Sequence, residues 1–253
     1  MGLVQKNAYF YELKKVCLNF KLNFELLIFL VFTTNNQGMI NILGTKNSIL
    51  NNFIREVRDI DIQKDSMRFR RNMERLGEIF AYEISKVLPY EAVETTTPLG
   101  VADCKILKEQ PVIATILRAG LPLHQGILNY YDNAQNAFVS AYRKHHKNGK
   151  FTIQVEYASC PPLDDKILIL SDPMLATGAS MVLTFKELLS KGKPKHTHIV
   201  SVLASAEGLE YVKKNLLTKD YTLWLGVVDD ELTAKAYIVP GLGDAGDLAY
   251  GIK

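Results

Sequence analysis

Between Ile167 and Ser180 the chain reads Ile-Leu-Ile-Leu-Ser-Asp-Pro-Met-Leu-Ala-Thr-Gly-Ala-Ser. An apolar strand runs into a turn here, and small residues and hydroxyls open the helix that follows. The first amides of such a helix have no partner within it and point outward at the positive end of its dipole. That makes an anion site, best suited to a phosphate monoester, to which Thr177 and Ser180 can add hydroxyl donors. Asp172 stands at the rim, where a carboxylate can accept sugar hydroxyls or hold a metal-bound water. The plainer reading is a strand-to-helix turn capped by Thr or Ser, with no ligand. A P-loop is excluded, because it needs a lysine after its second glycine.

Two other segments have the right residue types for chemistry. Ile116-Leu117-Arg118-Ala119-Gly120 is a strand ending in an arginine and two small residues, and Tyr142-Arg143 puts a second arginine on another strand. A guanidinium stays charged and grips oxygens through a planar fork, so a pair of them fits a multiply charged oxyanion. Taken singly, either is as readily a surface turn. The tail from Ile238 to Asp247 carries Gly241, Gly243 and Gly246, three glycines within six positions. Glycine allows positive φ and close backbone approach, so this loop can present N–H and C=O groups edge-on to a flat heterocycle. A flexible glycine-rich terminus is the alternative.

Together these segments resemble the uracil-specific branch of the type I phosphoribosyltransferases. The resemblance covers residues 39–253 and leaves residues 1–38 without a counterpart. Most of that family has two adjacent acids where this chain has Ser171-Asp172; a single acid followed by Pro-Met-Leu-Ala-Thr-Gly resembles the uracil branch. The branch usually has glycine where Ala179 stands, a polar residue after Asp247, and a different ending from Leu248–Lys253.

The resemblance implies that the chain transfers the phosphoribosyl group of phosphoribosyl pyrophosphate (PRPP) to N1 of uracil, giving UMP and pyrophosphate. Its PRPP-binding residues would be Arg118, Arg143, Asp244 and the loop Asp172, Pro173, Met174, Leu175, Ala176, Thr177, Gly178, Ala179 and Ser180. Arg118, Arg143 and Asp244 would be catalytic. Uracil presents an acceptor, a donor and an acceptor at O2, N3–H and O4, which backbone groups around Ile238, Gly243 and Ala245 can match, with Asp244 alongside. Cytosine reverses that pattern, and a site built for hydrogen bonds rejects the mismatch. Mg²⁺ is expected with PRPP, held mainly by the substrate and by no protein metal site. A homodimer or larger homo-oligomer is implied, and a nucleotide effector is left open. The alternatives are a phosphoribosyltransferase for another base, or a regulator on the same fold that senses PRPP or uridine nucleotides and binds RNA.

The elements that must position these residues follow a strand–turn–helix rhythm. Ile49, Leu50, Phe53, Ile54 and Val57 recur at helical spacing after Ser48. A longer helix is predicted from Ser66 to Leu88, capped by Asp65 and ended by Pro89, with Met73, Leu76, Phe80, Ile84 and Val87 inward. Its Arg68, Arg70 and Arg71 could touch phosphate, although a solvated or subunit-contact face is the commoner use of such a cluster. Residues 92–107 read as a hairpin or arm broken at Pro98-Leu99-Gly100. Strands follow at 112–117, 138–142, 166–170, 198–203 and 223–228, and 151–157 alternates like an exposed ribbon. Helices are expected from about Pro122, from Gly178 to Ser190, and from Glu207 to Leu216. The implied fold class is α/β: a central parallel sheet flanked by helices, with a small β-arm or hood. Ligands of such sheets bind beyond the carboxyl ends of the strands, so loops 118–120, 172–180 and 241–247 should converge.

Composition sets outer bounds. The chain has 253 residues, is 47% hydrophobic and 23% charged, and carries a net charge of +3. That suits an ordinary globular protein with an anionic small substrate and gives no case for nucleic acid. Three cysteines, at 17, 104 and 160, show no metal-ligand or disulfide pattern and point to a reducing cytoplasm. His145-His146 and His196-x-His198 lack the acidic or cysteine partners that would complete a metal site. Residues 1–38 fit the remainder poorly. Their apolar run Leu26–Phe32 is too short to span a bilayer, and Asn23 and Glu25 interrupt any signal-peptide core. They read as a disordered or artefactual extension before a single domain over 39–253.

Overall fold

Ile167 and Ile169 pack on one helix layer and Leu168 and Leu170 on the other, so this central strand of the sheet feeds two cores. Alternation with period two does this automatically, because successive Cβ atoms leave opposite faces of a strand. The computed structural model describes the backbone of residues 39–145 and 151–252 and the side chains of 39–140 and 156–252. The run Leu26–Phe32, Cys17 and His146 lie outside the described residues.

The chain opens with edge strand β1 (Met39–Ile42), helix α1 (Ile49–Arg58) and helix α2 (Ser66–Ser85). A two-stranded antiparallel arm follows, β2 (Tyr90–Thr97) and β3 (Gly100–Leu107), separate from the main sheet. Next come β4 (Val112–Leu117), α3 (Leu121–Leu128), β5 (Gln135–His145) and β6 (Phe151–Ser159). The remainder is β7 (Ile167–Ser171), β8 (Met174–Leu175), α4 (Ala179–Leu188), β9 (His196–Ser205), α5 (Ala206–Asn215) and β10 (Tyr221–Asp229). The tail adds β11 (Glu231–Leu232), β12 (Ile238–Val239) and α6 (Ala245–Tyr250).

The main sheet runs β1-β10-β9-β7-β4-β5-β6, with β8 on β9. Every pairing is parallel except β5 with β6. From β4 the chain crosses through α3 to β5 on one side. From β7 it crosses through α4 to β9 on the other. Residues of α1, α2 and α3 pack in one core, and residues of α4 and α5 in the second. The gap between the carboxyl ends of β4 and β7 is therefore a topological switch point, where open α/β sheets bind ligands.

Two expectations need correction. Val87 does not face the core and is 58% exposed, because α2 stops at Ser85. Pro89 disfavours helical dihedrals at the residue before it, so the last periodic positions are lost. Asp65 caps α2 as expected, accepting the Arg68 amide at 3.1 Å. The tail is also not loop throughout, since it ends in α6.

The basic cluster of Arg68, Arg70 and Arg71 on α2 is engaged in structure. Arg68 forks onto Glu56 at 2.8 and 2.9 Å, Arg71 pairs with Glu74 at 2.8 Å, and Arg70 donates to the Ala249 carbonyl at 2.7 Å. Hydrogen bonds from Arg68, then Asn72, hold the Glu56 carboxyl down at about 2.

The paired histidines of β9 have a packing role. His198 is buried, accepts the Trp224 Nε1–H at its Nδ1 over 3.1 Å, and lies 4.7 Å from the His196 ring. Burial, then the neighbouring His196, pushes its pKa from 6.5 to about 3. The unfolded chain thus takes up a proton near pH 6.5 that folded His198 refuses until about pH 3. Stability should be intact above that upper value and fall as the pH drops toward the lower one. Glu56 adds a further loss between 4.5 and about 2. A melting-temperature profile from pH 8 to 4 checks this. His198→Gln, which keeps an acceptor for Trp224, should flatten the fall below pH 6.5; curves parallel to wild type would contradict it.

Candidate active site

Ser171 ends β7 opposite Thr115 of β4, and their hydroxyls tie the two strands together at the switch point. Thr115 Oγ1 donates to the Ser171 carbonyl at 3.2 Å, and Ser171 Oγ to the Ala114 carbonyl at 3.2 Å. Beyond them β7 ends, while β4 runs two residues further beside β5 before its own turn. After Ser171 the Pro173 carbonyl accepts the Val202 and Leu203 amides at 3.1 and 3.0 Å, which steps the chain sideways before β8 rejoins β9.

Residues 176–180 then form the opening of α4. Gly178 is its N-cap with φ of +74°, a left-handed conformation that glycine adopts freely. Gly178 brings no capping side chain, and Thr177 Oγ1 accepts the Ala179 amide at 3.4 Å. The Thr177, Gly178 and Ser180 amides have no partner among the described residues, so the helix presents free N–H groups at its positive end. Ala179 takes helical geometry as the first residue of α4, so its methyl group leaves the loop intact. Asp172 is half-buried at the rim, with Oδ1 3.4 Å from the Met174 amide.

Two residues behind this loop, Ser205 and Gly208, carry no sequence motif of their own. Ser205 Oγ donates to the Ala176 carbonyl at 2.5 Å and accepts the Gly208 amide at 2.8 Å, capping α5. Gly208 lies so close that a Cβ there would stand 2.1 Å from the Ala176 oxygen. The start of α5 is therefore the wall against which the α4 opening rests. Gly208→Ala should cost about 1–3 kcal/mol through overpacking. It should also weaken phosphate-ester binding roughly tenfold by pushing Ala176 outward, measurable as a rise in KM at unchanged kcat. An unchanged KM would show the loop does not depend on that wall.

On β4, Leu117–Arg118 is a cis peptide, and the turn closes with the Gly120 amide on the Ile116 carbonyl at 3.1 Å. A Cβ at Gly120 would stand 2.1 Å from Thr115 Oγ1, so only glycine fits. The Arg118 guanidinium reaches the tail, donating to the Gly251 carbonyl at 3.3 Å and lying 3.5 Å from Asp247 Oδ1. Its Nε is buried without a partner among the described residues. Arg143 is on β5, the neighbour of β4; its side chain lies outside the described residues.

The tail is held at both ends. Val239–Pro240 is a cis peptide, and Gly241, with φ of +56°, turns so tightly that a Cβ would meet the Ile238 carbonyl at 2.1 Å. Leu242 and Ala245 are buried, while Gly243 and Asp244 between them are exposed. Gly243 has φ of +93° and open space where a side chain would be. Asp244 caps α6, its Oδ1 accepting the Gly246 and Asp247 amides at 2.8 and 3.1 Å. Ile238 is buried in the core with apolar residues of α2 and α6.

The structure therefore brings the α4 opening and the Arg118 turn to neighbouring strand ends, and bonds that turn to the far end of the tail. Among the described residues no group of three or more His, Cys, Asp or Glu could hold a metal, and no helix is long and apolar enough to cross a membrane.

With this geometry in hand, comparison with known proteins is specific. The family model described as uracil phosphoribosyltransferase matches residues 45–252. A uracil phosphoribosyltransferase of Porphyromonas gingivalis is 53% identical over 211 residues, spanning 83% of this chain and 97% of the relative. One from Pyrococcus furiosus is 38% identical over 199 residues, 78% of this chain and 83% of the relative. A solved structure of a protein from Aquifex aeolicus superposes with a TM-score of 0.74 at 30% identity, covering 85% of this chain and 99% of that one. Fold, motifs and relatives agree, and the chain belongs to the uracil phosphoribosyltransferase family.

Proposed function

We propose that the protein transfers the phosphoribosyl group of PRPP to N1 of uracil, forming UMP and releasing pyrophosphate. The observation that supports this reading is that a helix opening with free amides and an arginine turn lie at the neighbouring carboxyl ends of β7 and β4, with the far end of the glycine tail bonded to that turn. The free amides of Thr177, Gly178 and Ser180, with the two hydroxyls, take the 5′-phosphate, and Asp172 takes the ribose hydroxyls. The remaining loop residues, Pro173 to Ala176 and Ala179, shape that cradle. Arg118 and Arg143 grip the pyrophosphate. Uracil lies against the exposed tip at Gly243 and Asp244, paired with backbone groups of Ile238, Gly243 and Ala245.

In the reaction the C1–pyrophosphate bond breaks as uracil N1 bonds to C1 with inversion, and N1 gives up its proton. Charge builds on the leaving group, so the two guanidiniums contribute most by neutralising it in a site that already holds both reactants in line. Asp244 lies between the two substrates in this reading, with one oxygen committed to the α6 amides.

The donor set fits an ion that enters with its substrate. Asp172 and Asp244 are single acids, each already turned to a backbone amide, so Mg²⁺ would be held mainly by PRPP oxygens with Asp172 nearest. When bound it shares the neutralisation of pyrophosphate. The test is an initial-rate assay with uracil and PRPP. UMP and pyrophosphate should appear one for one, faster with Mg²⁺ than with chelator. No nucleotide from uracil under either condition would overturn the reading.

A further inference from the structure

Arg58 and Asp229 are 171 positions apart in sequence yet form a two-pronged ion pair, with bonds of 2.8 and 2.9 Å. Arg58 ends α1 and Asp229 ends β10. The pair is largely shielded, with 21% and 8% of the side chains exposed. Both partners also bond to one further residue, Gly241. Asp229 Oδ2 accepts the Gly241 amide at 3.0 Å, and Arg58 Nη1 donates to the Gly241 carbonyl at 3.1 Å.

We propose that Arg58 and Asp229 are positioning residues for uracil specificity, acting through Gly241. This rests on the function proposed above. Gly241 is the first residue of the segment whose tip, Gly243 and Asp244, faces solvent. Fixing both its N–H and its C=O sets the direction in which the chain leaves β12. Leu242 then turns into the core, and Gly243 emerges two residues later. A small rotation at Gly241 is carried into the backbone groups meant to read the base.

The geometry also explains why an ion pair suits this place. Arginine offers a rigid fork, so it can hold Asp229 with two bonds and still reach the Gly241 carbonyl from the same Nη1. Lysine could neutralise Asp229 but could not hold both partners in fixed relation. Asparagine at 229 would keep the shape and lose the charge. The other end of the tail is secured separately, by Arg118 on Gly251 and Arg70 on Ala249. Loosening the clamp should therefore shift the tip without releasing the whole segment.

The test uses full-length wild type, Arg58→Lys, Arg58→Met and Asp229→Asn. Each variant is assayed with uracil and with cytosine at saturating PRPP, and again with PRPP varied. Arg58→Met and Asp229→Asn should raise KM for uracil about tenfold and narrow the uracil-over-cytosine ratio of kcat/KM by a similar factor. KM for PRPP should stay within about twofold, and Arg58→Lys should recover part of the loss. A purely structural role would lower the active fraction, and with it apparent kcat, while leaving both KM values alone; that result overturns the proposal. So does an equal rise in both KM values.

Amide hydrogen exchange over residues 241–247 gives an independent readout. It should quicken in Arg58→Lys while residues 172–180 exchange as in wild type. If the wild type makes no UMP, the functional reading fails by itself and exchange still decides the clamp. If Arg58→Met does not fold, Arg58→Lys decides it, and wild-type exchange in that variant refutes the proposal.

Discussion

Replacing Arg118 by alanine should lower kcat/KM for PRPP by roughly 10²–10³-fold while the protein stays folded. The size follows from what the guanidinium is asked to do, since one well-placed donor to charge that develops on a leaving oxygen is worth about that factor. The folding cost should be small for a separate reason. Arg118 and its partner Asp247 are 39% and 37% exposed and 3.5 Å apart. Pairs of that kind contribute about 0–1 kcal/mol. The single bond to the Gly251 carbonyl, at 3.3 Å, adds little more. Arg118→Lys should fall between, keeping charge and losing the fork. Steady-state kinetics with a melting curve on the same preparation check this, and a loss of kcat/KM below about fivefold would contradict the assignment.

Gly243→Ala should cut kcat/KM for uracil by about 100-fold, mainly through KM, and leave KM for PRPP nearly unchanged. A methyl group at Gly243 meets no protein atom within 4 Å, so packing does not oppose it. At φ of +93° an alanine is strained, at a cost of about 1–2 kcal/mol. The methyl fills the open side of the tip, where the base would lie edge-on. Two displaced hydrogen bonds at about 1–1.5 kcal/mol each give the expected factor. Gly241→Ala is the control, since its Cβ would strike the Ile238 carbonyl. That variant should lose stability outright. If Gly243→Ala used uracil as well as wild type, the base would not be read at this tip.

The legible parts of this structure are those fixed by near neighbours in sequence. The β7–α4 segment combines a strand, a turn and a helix opening within 14 consecutive residues, and it folds as read. The hairpin at Pro98-Leu99-Gly100 and the Asp65 cap are likewise local. What escaped the reading depends on distant or competing partners. Arg58 and Asp229 look like ordinary charges until α1 and β10 are brought side by side. Ser205 precedes a helix like many capping serines, and only its bond to the Ala176 carbonyl ties it to the opening of α4. The tail read as loop because of its glycines, yet Asp244 supplies the cap that lets Ala245–Tyr250 turn helical. Arg68, Arg70 and Arg71 are each bound to an acid or a carbonyl of their own chain, and for Arg68 and Arg70 no local pattern reveals the partner.

The central claim is that the tail selects uracil for a PRPP-dependent transfer. It is tested most directly by competition in one tube. The wild-type protein, PRPP and Mg²⁺ are given equal concentrations of uracil, cytosine, hypoxanthine, xanthine and orotate, and the nucleotides formed are separated by mass. UMP should be the dominant product, with pyrophosphate matching it in amount. A different nucleotide dominating the mixture would contradict the account.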